Sequence, residues 1–328
     1  MESSVTSLSW IPSEAVVGVN KPMFEMGVAH YDDPPPDVIE DLDALRASDA
    51  FRFANRLEAW VAVEGGKIVN AGYGGGGVMG STTVRLGGKG VTFAAVELPE
   101  LRDDPVITDD SATFVQTYGG RTALPAPRHV PRPPFVQFRA PLVWTTLALT
   151  INADGSSSFE LTGASVFPRH WVYDQSGKLA AKVGLADFKQ WYRKSFGRNT
   201  PWGSTNSSAL VTAVETALER ELAGMIMRGG DKPEVRKIKD GALLTEQGRP
   251  GTEVFLVLDG VLALEVDGNP LAELGPGAIL GERAVLEGGV RTSTLRAVTK
   301  CRVAVARGDQ LDRTVLEQIS EGHRRESA

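Results

Sequence analysis

The stretch from Gly275 to Ala297 contains the side chains of this chain that are best suited to binding a compact anion. Arg291 supplies a guanidinium group, which can address two oxygens of one phosphate at once. Gly281 lets the backbone approach a ligand closely. Residues 282–286 can begin a helical turn whose free N–H groups, including that of Ala284, point towards the anion. Because a phosphodiester stripped of water needs such replacement donors, these residues predict a phosphate site.

A small all-β domain is predicted to hold this site. From Val235 to Ala306, short apolar runs are interrupted by glycine at nearly regular intervals. The runs VFLVL and VLALEV flank Asp259-Gly260, and Asp267-Gly268 turns the chain again before PLAEL, as hairpin turns would. The number of strands and the density of turns are typical of a jelly-roll-like β-roll.

Residues 235–328 resemble the cyclic-nucleotide-binding domain of bacterial catabolite-activator proteins, protein kinase regulatory subunits and cyclic-nucleotide-gated channels. The frame KDGALLTEQGRPGTEVFLVLDGVLALEVDG resembles the early strands of that family, and GPGAILGERAVLEGGVRTSTLRA resembles its phosphate-binding cassette. The family has an Arg nine residues after the Glu of a Gly-Glu pair, and Glu282 and Arg291 keep that spacing. Thr292, Ser293 and Thr294 match the hydroxyl or small residues that follow the Arg.

The resemblance implies a cyclic nucleotide as ligand, with cAMP favoured over cGMP, and no other cofactor. It implies that Arg291 and the backbone from Gly281 to Ala284 capture the phosphate, and that Glu282 accepts a hydrogen bond from the ribose 2′-hydroxyl. It also implies that Thr292 donates to the phosphate or to a purine substituent. The residues expected to contact the ligand are Gly281, Glu282, Arg283, Ala284, Arg291, Thr292 and Ser293.

The cassette has one departure from the family, which casts little doubt on binding, and one alternative interpretation stays open. Arg283 departs from the family, which often has an aliphatic residue at that position, although some members have a basic one. The alternative is a β-roll that has kept its fold without its ligand, in which Glu282 and Arg291 merely form an ion pair.

After the last predicted strand, the chain is expected to form one amphipathic helix. Leu311, Val315, Leu316 and Ile319 share a helical face, and in the family such a helix lies over the base as a lid. Only 22 residues follow Ala306, too few for the dimerisation helix and helix-turn-helix of a catabolite-activator-type regulator. We therefore expect the domain to pass its signal to the first 200 residues.

Strands also dominate the prediction for residues 1–205. Pairs of strand-like runs are separated by short turns rich in glycine, asparagine or aspartate, as hairpins would be. The pairs are LEAWVAV with KIVNAGY, TTVRL with VTFAAVEL, LVWTTLALTI with SSFELTG, and HWVYD with KLAAK.

Helices are predicted at about Asp37–Arg56 and Leu185–Phe196. The proline-rich stretch Leu124–Pro134 is predicted to be an extended surface connection, because proline lacks a backbone donor and fixes φ. We therefore predict the α+β fold class, with a β-rich N-terminal domain built on a curved or closed sheet. The C-terminal part is the cyclic-nucleotide-binding β-roll with flanking helices.

A connector is predicted between the two parts. All six tryptophans lie in the first 202 residues, which marks a boundary in composition. In Asn206–Arg228, apolar residues recur at helical spacing, and Gly229-Gly230 can end the helix. The prediction is a β-rich domain of unknown function at 1–205, a connector helix at 206–230 and the nucleotide-binding domain at 231–328.

Composition excludes several classes of protein. The formal net charge of −6 argues against a nucleic-acid binder that neutralises many phosphates, so no direct nucleic-acid binding is expected. One cysteine, Cys301, cannot form an intramolecular disulfide, and four scattered histidines give no metal-binding pair. The first residues lack the pattern of a secretory signal, and no run is long enough to span a membrane. We expect a cytoplasmic protein without membrane contact, and a homo-oligomer stays open.

Two further motifs invite a catalytic interpretation. Gly72–Gly77 fits GxGxxG, but the residues after it predict a strand, so a bulged or flexible β-connection, or a flap over a cavity, is favoured over a dinucleotide site. His170 lies among polar-tipped residues on a predicted strand, and a partly buried structural histidine is the default interpretation. The sequence has no GxSxG motif that would support a hydrolase.

Three hypotheses follow. The leading one is a regulatory protein whose β-roll binds a cyclic nucleotide and signals to the N-terminal domain. The second is an N-terminal enzyme or small-molecule-binding domain under nucleotide control, which requires a cavity lined by His170 or Tyr73 and a carboxylate. The third is a scaffold whose β-roll binds no ligand.

Overall fold

The computed structural model describes residues 1–12, 21, 31–86, 89–121, 126–129, 133, 136–139, 142–166, 168–183, 200–202, 211–212, 222–223, 225–226 and 233–326. The chain divides into two units. The first consists of Met1–Val183 with Asp187–Ala209, and the second of Gly184–Ala186 with Leu210–Ala328. The predicted helix Leu185–Phe196 lies outside the described residues.

The first unit is built from strands, and its predicted hairpins are confirmed. For example, β2 pairs with β3 across a turn in which Gly65 and Gly66 both have positive φ. The strands are β1 (Glu2–Trp10), β2 (Phe53–Glu64), β3 (Lys67–Gly75), β4 (Val78–Met79), β5 (Ser81–Leu86), β6 (Lys89–Ala94), β7 (Val96–Glu97), β8 (Leu101–Arg102), β9 (Val106–Ile107), β10 (Ser111–Arg121), β11 (Ala126–His129), β12 (Val136–Arg139), β13 (Leu142–Asn152), β14 (Ser157–Ala164), β15 (Arg169–Tyr173) and β16 (Leu179–Val183).

These strands form two larger sheets and two separate hairpins. One sheet has the order β16-β15-β1-β2-β3, with β4 also paired to β2. The other has the order β14-β13-β10-β7, with β8 and β9 also paired to β10. Among the described strands, β5 and β6 form one separate two-stranded sheet, and β11 and β12 form another. No closed barrel is formed by the described strands, and curvature of the N-terminal sheet stays a prediction.

Buried polar side chains connect the two larger sheets. Ser7 on β1 and Thr145 on β13 lie within hydrogen-bond distance, with 2.6 Å between Oγ and Oγ1. Asn55 on β2 donates to the Thr145 carbonyl at 3.0 Å and accepts from the Gln116 amide of β10 at 2.8 Å. All four residues are fully buried. Because each polar group finds a partner, this network fixes the register of one sheet against the other.

The predicted helix at Asp37–Arg56 is wrong over most of its length. The structure has only α1 (Leu42–Ala47), which Asp41 caps by accepting from the Ala44 N–H. Asp49 has positive φ, and β2 begins at Phe53, paired with Ser9 of β1. Pairing with β1 therefore overrides the local helical pattern.

The proline-rich stretch Leu124–Pro134 also differs from its prediction. Ala126–His129 is the strand β11, and Pro127 lies opposite Phe138 of β12. In a two-stranded ribbon both strands are edges, so a proline is tolerated where its missing N–H faces away from the partner strand. The other residues from 122 to 135, except Pro133, lie outside the described residues.

The predicted connector helix is contradicted at one point. Val211–Thr212 forms a short strand, β17, whereas Leu222, Ala223, Met225 and Ile226 are helical. Valine and threonine are β-branched, which favours extended backbone. The rest of 206–230 lies outside the described residues, and the domain boundaries at 205 and 230 stay predictions.

The second unit contains the predicted β-roll. Two four-stranded sheets have the orders β18-β25-β20-β23 and β19-β24-β21-β22, and Phe255, Val257 and Val303 of the first pack with Leu262 and Leu295 of the second. The strands are β18 (Glu234–Ile238), β19 (Leu243–Thr245), β20 (Glu253–Asp259), β21 (Leu262–Val266), β22 (Asn269–Leu274), β23 (Ile279–Leu280), β24 (Thr294–Ala297) and β25 (Cys301–Arg307).

One of the two predicted hairpin turns of the β-roll is wrong. Asp267 and Gly268 both have positive φ and join β21 to its partner β22, as predicted. Asp259 and Gly260 instead carry the chain from one sheet to the other, because β20 pairs with β25 and β23. Gly260 has φ +85° and approaches the Lys300 carbonyl too closely for a side chain.

Three helical segments lie within residues 233–326, beside the β-roll. They are α2 (Glu282–Leu286), a 3₁₀ turn (Gly308–Gln310) and α3 (Arg313–Glu326), which confirms the predicted C-terminal helix. Leu316 and Ile319 of α3 are buried in a cluster with Leu222 and Ile226 on the outer side of β20. A lid role for α3 stays a prediction. In the described part of the chain, no helix has the length and apolar character needed to cross a membrane.

Candidate anion-binding site

The loop between β23 and β24 carries the predicted anion-binding residues. Gly281 has φ +87° and begins α2 at the end of β23. A Cβ at Gly281 would lie 2.5 Å from Nη1 of Arg291 and 2.8 Å from the Glu253 carbonyl oxygen. Glycine is therefore required here both for the left-handed backbone and for the close approach of Arg291.

Arg291 is held in place from several sides. Its Nη1 donates to the backbone carbonyl of Glu253 at 2.8 Å, and its Cζ lies 5.0 Å from the centroid of the Phe255 ring. A Cβ at Gly251 would lie 2.6 Å from both Cζ and Nη2. Only 5% of the residue is exposed. Because these contacts fix the guanidinium before any ligand binds, its geometry is preorganised.

The guanidinium still has hydrogen-bond donors to offer. Among the described residues it makes one hydrogen bond, and its Nη2 lies 3.7 Å from the nearer oxygen of Glu253, beyond hydrogen-bond distance. The pKa of Arg291 lies below its ordinary value, mainly because burial disfavours the charged form. The nearby charge of Arg236 also lowers this pKa, whereas the charges of Glu253 and Glu282 raise it. An anion that replaced water at these donors would gain charge-assisted hydrogen bonds.

Two residues of this site were missed in the sequence. Arg236 donates from Nη2 to Glu253 Oε1 at 2.6 Å and from Nη1 to Oε2 at 3.3 Å. The same Glu253 carboxylate forms the ion pair with Arg291. Hydrogen bonds to Glu253 and Glu234 raise the pKa of Arg236. The sequence alone does not reveal this Arg-Glu pair, because β18 and β20 lie close together only through the strand order β18-β25-β20.

The remaining cassette residues divide between buried and surface positions. Glu282 and Ala284 are buried at the start of α2, with 4% and 1% exposed. Arg283 instead lies beside Glu287 on the outer side of the helix, with 3.4 Å between Nε and Oε1. The ion pair of Arg291 is formed with Glu253, so the predicted alternative pairing with Glu282 is not the one observed.

The hydroxyl residues after Arg291 lie at the start of β24. Thr292 and Ser293 are half-buried, and Thr294 Oγ1 accepts from the Gln247 N–H at 3.0 Å. The Ser293 carbonyl accepts from the Thr245 hydroxyl at 3.4 Å. The structure therefore places six of the predicted site residues in the connection between β23 and β24, which includes α2: Gly281, Glu282, Ala284, Arg291, Thr292 and Ser293.

The histidine singled out in the first unit is structural. His170 is fully buried, with Nδ1 2.6 Å from the Ser9 hydroxyl and Nε2 2.7 Å from the Ser165 carbonyl. Since Nε2 must donate to that carbonyl, Nδ1 accepts from Ser9. Burial lowers the pKa of His170 to about 4. The imidazole is therefore neutral and satisfied at pH 7.

The other candidates singled out in the first unit are Tyr73 and the glycine run at 72–77. The Tyr73 hydroxyl is bonded to the Asp103 and Val115 backbone. Gly72–Gly75 belongs to β3 and β4 follows, so the predicted β-connection is confirmed. A cavity of ≈350 Å³ in this unit is lined by Glu2, Ser3, Ser4, Glu58, Ala59, Trp60, Gly74 and Gln175, and thus by neither His170 nor Tyr73. The described residues contain no cluster of three His, Cys, Asp or Glu suited to a metal ion.

Comparison with known proteins identifies the second unit. Residues 235–318 match the family model of the cyclic nucleotide-binding domain. The first unit lies outside this match.

Curated relatives match over the same region. The cGMP-dependent protein kinase egl-4 of Caenorhabditis briggsae is 29% identical over 85 residues, which are 26% of this chain and 11% of the kinase. The cyclic nucleotide-gated potassium channel mll3241 of Mesorhizobium japonicum is 39% identical over 64 residues, which are 20% of this chain and 18% of the channel. This chain therefore spans less than a fifth of the length of either relative.

The cyclic nucleotide-binding domain from Methylobacillus flagellatus aligns with a TM-score of 0.26 and 24% identity, over 28% of this chain and 62% of that chain.

Proposed function

We propose that the cyclic nucleotide-binding domain at residues 235–318 binds cAMP, and cGMP more weakly, through Arg291. The observation that carries the proposal is the preorganised guanidinium of Arg291, which is buried and fixed by Glu253 and Phe255 yet keeps donors for an anion. A cyclic phosphodiester is a compact monoanion of the size that two guanidinium N–H groups address.

The neighbouring residues are assigned by the same proposal. The backbone from Gly281 to Ala284 approaches the phosphate, where no Cβ at Gly281 stands in the way. Glu282 accepts from the ribose 2′-hydroxyl, and Thr292 and Ser293 donate to the phosphate or the base. Arg283 lies against Glu287, so its contribution is expected to be small.

Calorimetric titration with cAMP and with cGMP tests this assignment. Replacing Arg291 with alanine should weaken cAMP binding at least about thirtyfold, because removing one partner of a buried charge pair costs about 2–5 kcal/mol. Arg296→Ala is the matched control, since Arg296 is exposed and pairs with Glu265. Tighter binding of cGMP than of cAMP would contradict the choice of ligand. Equal binding by Arg291→Ala, with a native melting curve, would contradict the site.

The proposal extends to regulation of the first unit, through the segment from 206 to 230. Hydrogen exchange of the whole chain with and without cAMP measures this coupling. We expect protection to change in residues 1–183 as well as in the β-roll. Changes confined to residues 233–326 would refute the coupling while leaving the binding site intact. Light scattering with and without cAMP tests the scaffold hypothesis. The same state of assembly in both samples, with no nucleotide bound, would favour the scaffold.

A further inference from the structure

A carboxylate of the protein itself already lies beside the guanidinium that the proposed phosphate would bind. Glu253 Oε2 is 3.7 Å from Arg291 Nη2, and the Glu253 backbone carbonyl holds Nη1. The side-chain carboxylate and a bound phosphate would both place negative charge on the same buried cation. Two anions that share one cation repel each other, and the repulsion is larger where water is excluded.

Glu253 does not face Arg291 alone. Arg236 binds both of its oxygens, at 2.6 Å and 3.3 Å, and so holds the carboxylate more closely than Arg291 does. The side chains of Arg236 and Glu253 are each 36% exposed, whereas that of Arg291 is 5% exposed. The Arg236–Glu253 pair is therefore more exposed to solvent than the Arg291 guanidinium is.

Glu253 and Arg236 have opposite effects on the charged form of Arg291. Glu253 stabilises the charged form of Arg291, and Arg236 destabilises it. Removing the Glu253 charge leaves Arg291 with a larger uncompensated positive charge to offer a ligand. If the Arg236 charge is removed, Arg291 is the cation that still pairs with Glu253 among the described residues.

We propose that Glu253 opposes the nucleotide phosphate as an internal counter-anion of Arg291, and that Arg236 limits this opposition by holding the carboxylate. The inference rests on the proposed function, because it sets the affinity of the same site. Neither residue needs to touch the nucleotide. Arg236 acts through Glu253, and Glu253 acts through Arg291.

The test is a double-mutant cycle with cAMP titrated into the full chain by calorimetry. Glu253→Gln keeps the backbone carbonyl that positions Arg291 and should tighten binding about three- to fivefold, which corresponds to the upper part of the range for partly exposed charge pairs. Arg236→Gln should weaken binding by a similar factor. In the double variant, Arg236→Gln should have little further effect, because its target carboxylate is gone.

Glu234→Gln is the matched control. It removes a carboxylate that also pairs with Arg236, at 2.8 Å from Nε, but that forms no ion pair with Arg291. Binding should stay within about twofold of the wild type, since this carboxylate is exposed and screened. If Glu253→Gln does not fold by its melting curve, Glu253→Ala retains the same backbone carbonyl and should tighten binding likewise.

Each outcome decides the inference. Weaker binding by Glu253→Gln would show that the carboxylate positions Arg291 rather than opposing the ligand. An equal loss from Arg236→Gln in both backgrounds would show that Arg236 contacts the nucleotide itself. Either result overturns the inference while wild-type binding upholds the proposed function. Absence of cAMP and cGMP binding by the wild type overturns both.

Discussion

Replacing Gly251 with alanine is expected to weaken nucleotide binding without unfolding the β-roll. The added Cβ would lie 2.6 Å from Cζ and Nη2 of Arg291 and closest to its Nε. Gly251 does not have a left-handed backbone, so alanine brings no backbone strain. Its N–H bonds the Gly289 carbonyl at 2.9 Å, and alanine keeps this hydrogen bond. The guanidinium is therefore the group that must yield.

The size of the effect follows from that displacement. Ordinary carbon contacts begin near 3.4 Å, so the guanidinium must shift by about 1 Å. Such a shift takes at least one N–H out of hydrogen-bond range of a phosphate oxygen. One hydrogen bond to a charged group contributes about 1.5–3 kcal/mol, which corresponds to about 10- to 150-fold in affinity.

Calorimetric titration of Gly251→Ala with cAMP, alongside thermal melting, measures both consequences. Thr252→Ala is the matched control, because Thr252 is exposed and adjacent in sequence. Gly281→Ala is a poorer probe, since its φ of +87° adds backbone strain to the same steric effect. Wild-type affinity in a folded Gly251→Ala protein would show that the observed position of Arg291 is not the one that binds phosphate.

Two further predictions concern stability. Because the pKa of His170 is lowered to about 4 from about 6.5 in the unfolded chain, the first unit should lose about 1.4 kcal/mol per pH unit as pH falls from 6.5 towards 4. In urea unfolding, the dependence of stability on pH should be weaker in His170→Gln than in the wild type by this amount, and the same dependence in both proteins would refute the assignment. Leu316→Ala should destabilise the second unit by about 2–5 kcal/mol in chemical denaturation, because Leu316 is 1% exposed in the cluster behind β20. The exposed neighbour Glu317→Ala should change stability by less than about 1 kcal/mol, and a similar loss in both variants would contradict the packing argument.

Local signals in the sequence predicted those parts of the fold that local interactions determine. Hairpins with glycine turns, such as the one at Gly65 and Gly66, formed as expected because the turn itself brings the strands together. The same holds for α2, which begins where the backbone turns left-handed at Gly281. The α3 helix followed from the spacing of Leu316 and Ile319.

The errors arose where pairing partners are distant in sequence. Asp259-Gly260 has the composition of a hairpin turn, but β25 competes successfully for β20 and the turn becomes a crossing between sheets. Similarly, β1 pairs with Phe53 and ends the helical pattern that precedes it. Neither partner is visible in a local window, so local composition could not exclude the hairpin or the longer helix.

The candidate site was predictable only in part, for the same reason. Arg291 and Gly281 lie close in sequence, and a shared motif reveals both. Glu253 and Arg236 reach the site from β20 and β18, which β25 separates in the sheet. Their meeting depends on strand order, and strand order is a property of the whole unit.

The alternation of side chains along β20 joins the proposed nucleotide site to the segment that precedes the β-roll. The side chains of Glu253 and Phe255 lie on one face of the strand beside the Arg291 guanidinium, with 3.7 Å from Oε2 to Nη2 and 5.0 Å from the ring centroid to Cζ. Val254 and Leu256 on the other face pack with Leu222, Ile226, Leu316 and Ile319. Because successive residues of a strand point to opposite faces, one strand contacts both the guanidinium and the cluster that contains Leu222 and Ile226. The proposed coupling therefore needs no element outside the second unit to reach the predicted connector.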